Sequence, residues 1–107
     1  MPTYNKLVRD RIPEIIEKSG KSFRTNVLDS ASYQKELRMK LREEMDELLQ
    51  AKFVEDRVEE MADLLEVMYA LASLDGVDPH EIERVRERKQ NERGGFKERI
   101  LLMDVED

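Results

Sequence analysis

The chain has no cysteine and no tryptophan, and its 107 residues include only four glycines and three prolines. The lack of cysteine excludes disulfide bonds, thiolate metal sites and cysteine nucleophiles. No apolar run reaches the roughly 18 residues that a membrane-spanning helix needs. The first ten residues, MPTYNKLVRD, also lack the apolar core of a signal peptide. We therefore expect a cytoplasmic protein with no membrane partner.

Charged residues are numerous and unevenly distributed. They make up 41% of the chain and give a net charge of -6, which leaves too little basic surface for a general nucleic-acid partner. Residues 43–63 hold nine acids and two bases, whereas residues 84–99 hold seven bases and three acids. An acidic centre next to a basic segment suits a metal site beside a polyanionic ligand. Intramolecular charge balance is the commoner reason for such a pattern.

Helix start and stop signals divide most of the chain into helices. Aspartate, serine or proline stands at three of the four predicted starts, and glycine stands at three of the predicted ends. The predicted helices are a short one in IPEIIEKSG, a long one from residues 29–32 to about 52, a second long one over 54–75, and one that begins at 78 and stops at Gly94-Gly95.

The expected fold class is all-α, as one domain over residues 1–107 built on an αα-hairpin of the two long helices. Shorter helices flank this hairpin, and residues 22–28 and 100–105 are predicted to pair as a minor two-stranded element. Because only 39% of the residues are apolar, a monomer would have a thin core. We therefore expect a helical-bundle homo-oligomer, either a dimer or a tetramer.

The four acids of the motif REEMDEL point in different directions on a helix that turns 100° per residue. With Leu37 at 0°, the apolar stripe runs from about 320° to 80°, and Glu44 lies inside it at about 340°. Glu47 lies at the border near 280°, Glu43 lies at about 240°, and Asp46 lies on the opposite side at about 180°. Glu44 is thus predicted to face the core, and Asp46 to face solvent.

The second long helix carries further acids on an apolar background, because MADLLEVMYALASL is apolar nearly all the way round and is predicted to be buried on most sides. Glu60 and Asp63 are three residues apart and share a face, as do Glu44 and Glu47. In an antiparallel hairpin the two pairs can converge on one point. Inward carboxylates are normally paired, protonated or bound to metal, so salt bridges to arginines of a neighbouring helix are the alternative. Without histidine or cysteine beside them, four carboxylates favour Mg²⁺ or Mn²⁺ over Zn²⁺.

Three segments carry a resemblance to a known family. EEMDE, followed after twelve residues by EMAD, matches the pattern EExxE…ExxD. This pattern resembles that of the MazG-like and phosphoribosyl-ATP pyrophosphohydrolase-like superfamily of all-α nucleoside triphosphate pyrophosphohydrolases. YNKLVRDRIPEII near the N-terminus and NERGGF near the C-terminus resemble the signatures of the phosphoribosyl-ATP pyrophosphohydrolase-like branch. The resemblance therefore spans almost the whole chain, with the segments in the expected order.

This resemblance implies Mg²⁺-dependent hydrolysis of a nucleoside triphosphate between its α- and β-phosphates, which releases a monophosphate and pyrophosphate. A role in cleaning the nucleotide pool would follow. Glu47 is then expected to position or deprotonate the attacking water, and Glu43 to support the site from beside the metal ligands. The implied metal ligands are Glu44, Glu47, Glu60 and Asp63. The residues expected to bind phosphate are Lys6, Arg9, Arg11, Lys89 and Arg93, some of which can come from a neighbouring subunit.

Two alternatives remain open at the level of the sequence. One is a true phosphoribosyl-ATP pyrophosphohydrolase of histidine biosynthesis, which applies the same chemistry to a bulkier substrate. The other is a non-catalytic helical module that binds metal or nucleotide, or that only oligomerises. The complete set of four acidic ligands argues against the second alternative, because a module without catalysis has no need to keep all four.

Overall fold

The computed structural model describes residues 4–107, and this part of the chain folds into four helices. The principal helix–helix contact joins the second and third helices, which are separated by only three residues and form an αα-hairpin. The predicted all-α class and its central hairpin are therefore confirmed. The helices are α1 (Ile12–Lys18), α2 (Ser30–Gln50), α3 (Val54–Leu74) and α4 (Pro79–Arg93).

Local signals in the sequence account for the helix ends. The Asp29 side chain accepts a hydrogen bond of 2.8 Å from the backbone N–H of Ser32 at the start of α2. Asp78 does the same at the start of α4, with a bond of 3.1 Å from the third residue of that helix. Gly76 and Gly94 follow α3 and α4 with φ of +71° and +83°, a left-handed conformation that favours glycine.

The predicted strand pairing is wrong. Residues 22–28 and 100–105 have no regular secondary structure, and no strand forms anywhere in residues 4–107. Ile100, Leu102 and Val105 are exposed, so the tail does not pack on the helices. A lone two-stranded ribbon is at best marginally stable in water, and without a helix face to cover it the apolar pattern of these segments is not enough.

The chain is elongated and has little core. Its radius of gyration is 18.6 Å, and it measures 62 × 35 × 25 Å, whereas a compact domain of this length has a radius of gyration of about 13 Å. Among the described residues, Leu37 and Val67 are the only apolar side chains that are buried, at 3% and 8% exposure. The prediction that α3 is buried on most sides therefore does not hold within one chain. No helix of the described part is long and apolar enough to cross a membrane.

Candidate active site

Three carboxylates from the two long helices lie together on one side of the hairpin. One oxygen each of Glu44, Glu47 and Glu60 lies within 4.8 Å of the other two. Glu44 on α2 is buried at 6% exposure, Glu60 on α3 is partly buried, and Glu47 is exposed at the edge of the group. We call these three residues the carboxylate cluster.

The apolar contact between the helices directs this cluster inward. Glu44 comes seven residues after Leu37 on α2, and Glu60 comes seven residues before Val67 on α3. Seven residues are nearly two full helical turns, so each acid lies on almost the same side of its helix as the buried apolar residue. The packing that forms the hairpin therefore also brings the two acids face to face.

Two oxygens of the cluster are buried without a partner. Oε1 of Glu44 lies 3.8 Å from Nζ of Lys40. In contrast, when all the acids of the cluster are ionised, Oε2 of Glu44 and Oε2 of Glu60 accept no hydrogen bond from the described residues. A buried carboxylate oxygen left unsatisfied is costly, and a cation bound between the helices would satisfy both. With oxygen as the only ligand type, the cluster fits a hard divalent cation.

Crowding and burial of the acids raise the pKa of two members of the cluster when no cation balances its charge. The pKa of Glu60 is raised from 4.5 to about 7, first because its protonated form shares a hydrogen bond with Glu47, and then because of burial and of contact with Glu44. The pKa of Glu44 is also raised, mainly by burial. A hydrogen bond with Glu60 lowers this pKa in part, and the negative charges of Glu47 and Asp63 raise it further. Cation binding therefore competes with protonation.

The fourth predicted ligand, Asp63, is not part of the cluster. Nη2 of Arg9 donates a hydrogen bond of 2.7 Å to Oδ1 of Asp63, and Nη1 of Arg9 lies 4.0 Å from Oε1 of Glu66. Asp63 is nevertheless close enough for its charge to raise the pKa of Glu44. The structure thus brings three of the four predicted metal ligands together and holds the fourth nearby in an ion pair.

The basic side chains predicted to bind phosphate occupy three different places. Besides Arg9, Lys6 lies against the hairpin, where its Nζ is 3.1 Å from Oε1 of Glu43. Arg11 instead points along α1, with its Nε 3.2 Å from a carboxylate oxygen of Glu14. Two of the five predicted bases therefore lie beside the acids in this chain.

The other two predicted bases, Lys89 and Arg93, lie on α4. Both are exposed, and neither makes an ion pair with any residue of the described segment. Lys40, by contrast, contacts the cluster although it was not among the predicted site residues. Its position one helical turn before Glu44 was the available signal, because residues four apart on a helix are neighbours.

The fold and the cluster together define an all-α protein with a candidate metal centre between two helices. A family model described as phosphoribosyl-ATP pyrophosphohydrolase matches residues 1–90, and the chain belongs to this family, within the MazG-like superfamily. It is therefore a pyrophosphohydrolase that acts on phosphoric anhydrides, in a family that is typically metal-dependent and acts on nucleotides. Comparisons with curated proteins and with solved structures give no match.

Proposed function

We propose that the protein is an Mg²⁺-dependent nucleoside triphosphate pyrophosphohydrolase, formed as one domain by residues 1–107. It cleaves its substrate between the α- and β-phosphates, releases a nucleoside monophosphate and pyrophosphate, and so removes unwanted nucleotides from the pool. The observation that carries this proposal is the carboxylate cluster, with its two unsatisfied buried oxygens, in a chain of this family.

Glu44, Glu47 and Glu60 would hold the metal ion, with Asp63 as the fourth ligand. An ion at this position supplies charge neutralisation for the phosphates and lowers the pKa of water. Mg²⁺ is proposed, and Mn²⁺ is the substitute, because both prefer the carboxylate oxygens that this site offers.

Glu47 is the proposed base. It is the exposed member of the cluster, so water reaches its carboxylate, which orients the attacking water and accepts its proton. Glu43 lies one helical turn before Glu47 on α2 and holds Lys6 through their 3.1 Å ion pair. Negative charge moves to the departing pyrophosphate, where guanidinium and ammonium groups stabilise it. The side chains proposed for this role are Lys6, Arg9, Arg11, Lys89 and Arg93.

A homo-oligomer, either a dimer or a tetramer, is proposed as the active form. On α3 five of the exposed apolar residues follow one another at spacings of four and three, the heptad pattern of helices that pack side by side. We call this row the α3 stripe. The elongated shape and the thin core further support association, which would also allow α4 of one subunit to approach the cluster of another. The α3 stripe consists of Val54, Val58, Met61, Leu65 and Met68.

The second candidate is hydrolysis of phosphoribosyl-ATP in histidine biosynthesis. The description of the matching family model favours this substrate. Both candidates break the same phosphoanhydride bond with the same residues, so they differ in what surrounds the triphosphate. The two candidates are therefore distinguished by substrate preference. The carboxylate cluster does not distinguish them, because both would use it.

A substrate screen tests this proposal. Purified protein with Mg²⁺ is incubated with canonical and damaged nucleoside triphosphates and with phosphoribosyl-ATP, and the products are identified by ³¹P NMR. We expect a monophosphate and pyrophosphate from a nucleoside triphosphate. A clear preference for phosphoribosyl-ATP would establish the second candidate. Release of orthophosphate and a diphosphate would contradict both candidates, because the wrong bond would have been broken.

A further inference from the structure

The N-terminal segment lies on the acidic side of the hairpin, held by ion pairs to both long helices. Lys6 pairs with Glu43 on α2, and Arg9 pairs with Asp63 and approaches Glu66 on α3. At 2.7 Å the Arg9–Asp63 contact is the shorter of the two anchoring ion pairs, and it involves a residue one helical turn from Glu60. Arg9 therefore stands next to the carboxylate cluster and contacts an acid that the cluster does not include.

A divalent cation in the cluster would change the balance of forces on Asp63. It would attract the Asp63 carboxylate with two charges, where the guanidinium of Arg9 offers one. The cation would also repel the positively charged guanidinium of Arg9. Both side chains of the pair are substantially exposed, at 56% and 39%, so little packing opposes their separation. An exposed ion pair of this kind is weak and is readily exchanged.

We propose that Arg9 takes the place of the metal ion at Asp63 and that metal binding releases it. Asp63 then turns to the cluster and completes the ligand set. The freed guanidinium is left beside the metal centre, where its planar pair of N–H donors suits a phosphate group of the substrate. Metal binding and preparation of the phosphate site are thereby one coupled event. This inference rests on the proposed function, because it assumes that the cluster binds a divalent cation.

Isothermal titration with Mg²⁺ in the absence of nucleotide tests the exchange. In Arg9→Gln the competitor is gone, so the dissociation constant for Mg²⁺ should fall by about two- to fivefold, the range that an exposed ion pair can supply. If Arg9 instead orients Asp63 for the metal, the same substitution weakens binding. Weaker or unchanged binding therefore overturns the proposal.

Lys6→Gln is the matched control. It removes one positive charge from the same segment and breaks the ion pair with Glu43, which lies outside the cluster. A general electrostatic effect would strengthen Mg²⁺ binding similarly in both variants, whereas exchange at Asp63 predicts a change below about 1.5-fold for Lys6→Gln, the low end of what an exposed charge contributes. Equal effects in the two variants would also overturn the proposal. Thermal unfolding of both variants verifies that they are folded.

A spectroscopic readout follows the guanidinium itself. Binding linkage requires that Mg²⁺ weaken the Arg9–Asp63 pair by the same factor by which the pair weakens Mg²⁺ binding. The Nε–H resonance of Arg9, assigned by its loss in Arg9→Gln, should move toward the position of a solvent-exposed arginine as Mg²⁺ is added. An unchanged resonance at saturating Mg²⁺ contradicts the exchange but leaves the proposed function intact. No Mg²⁺ binding at all would overturn both.

Discussion

Glu44 and Glu60 face each other across the hairpin, and each keeps one buried carboxylate oxygen that no described residue satisfies. The same packing that buries Leu37 and Val67 brings these two acids together. The hairpin thus concentrates like charge at its centre, which costs free energy of folding unless a proton or a cation compensates for it. The site is therefore governed by a balance between charge repulsion and cation binding.

Removing a carboxylate from the cluster should weaken metal binding. For Glu44→Gln we expect the affinity for Mg²⁺ to fall at least about tenfold, because even residues that only support metal ligands typically contribute 10–100-fold. Asp46→Asn is the matched control, since Asp46 is an exposed acid of the same helix outside the cluster. Isothermal titration of the two variants checks this, and similar affinities in both would argue against the cluster as the binding site.

The stability of the metal-free protein should depend on pH through Glu60. Its pKa is about 7 in the folded protein and near 4.5 in the unfolded chain. Between these values the folded state holds a proton that the unfolded state has released, so the free energy of unfolding falls as pH rises from about 4.5 to 7.

Thermal unfolding in EDTA at pH 5 and pH 8, followed by circular dichroism, measures this effect. The melting temperature of the natural protein should drop more between the two pH values than that of Glu60→Gln, which lacks the titrating group. The hydrogen bond from the backbone of Ser32 lowers the pKa of Asp29 below 3.8, so this carboxyl is ionised in both the folded and the unfolded state between pH 5 and pH 8 and does not contribute to the drop. An equal drop in the two proteins would show that Glu60 has an ordinary pKa.

Basic residues of α4 should contribute to substrate binding although they lie apart from the cluster in one chain. Arg93→Ala should lower kcat/KM by about 10-fold or more, because a hydrogen bond between charged groups contributes about 1.5–3 kcal/mol. Arg84→Ala is the control on the same helix, where Arg84 lies 4.0 Å from Glu81 and has no proposed role. Steady-state kinetics with the substrate identified by the screen measures kcat/KM for both variants. An equal kcat/KM in the two would contradict a phosphate-binding role for Arg93.

Association through the α3 stripe should be sensitive to charge. Leu65→Lys places a charge in the middle of the stripe and should shift the protein toward monomer, because burying an unpaired charge costs several kcal/mol. Glu59→Lys puts the same side chain about 120° round the helix, away from the stripe. Light scattering coupled to size-exclusion chromatography measures the mass. A natural protein that is already monomeric, or no difference between the variants, would contradict this interface.

The helices and the direction of Glu44 could be predicted from sequence because their causes are local. Asp29 and Asp78 cap helices through residues three positions away, and Gly76 and Gly94 end them through their own backbone conformation. The position of Glu44 on the helical wheel follows from its spacing from the apolar residues around it. These features require no knowledge of distant parts of the chain.

Other features of the site depend on tertiary contacts and could not be predicted. Arg9 and Asp63 are 54 residues apart in sequence, so nothing local indicates their ion pair. Glu47, by contrast, was predicted to join the acids of the next helix, from its three-residue spacing to Glu44 and from the family resemblance, although its border position on the wheel alone does not decide this. The strand prediction failed for a related reason, because a short apolar segment forms a strand only where a partner covers it.

The most direct test of the central claim is pyrophosphate release as a function of Mg²⁺ for the natural protein, Glu44→Gln and Asp46→Asn. We expect release by the natural protein to need Mg²⁺ and to stop in EDTA. We expect Asp46→Asn to retain this activity and Glu44→Gln to lose it at Mg²⁺ concentrations that saturate the natural protein. Pyrophosphate release by Glu44→Gln at the natural rate, with the same dependence on Mg²⁺, would contradict the assignment of the carboxylate cluster as the metal centre.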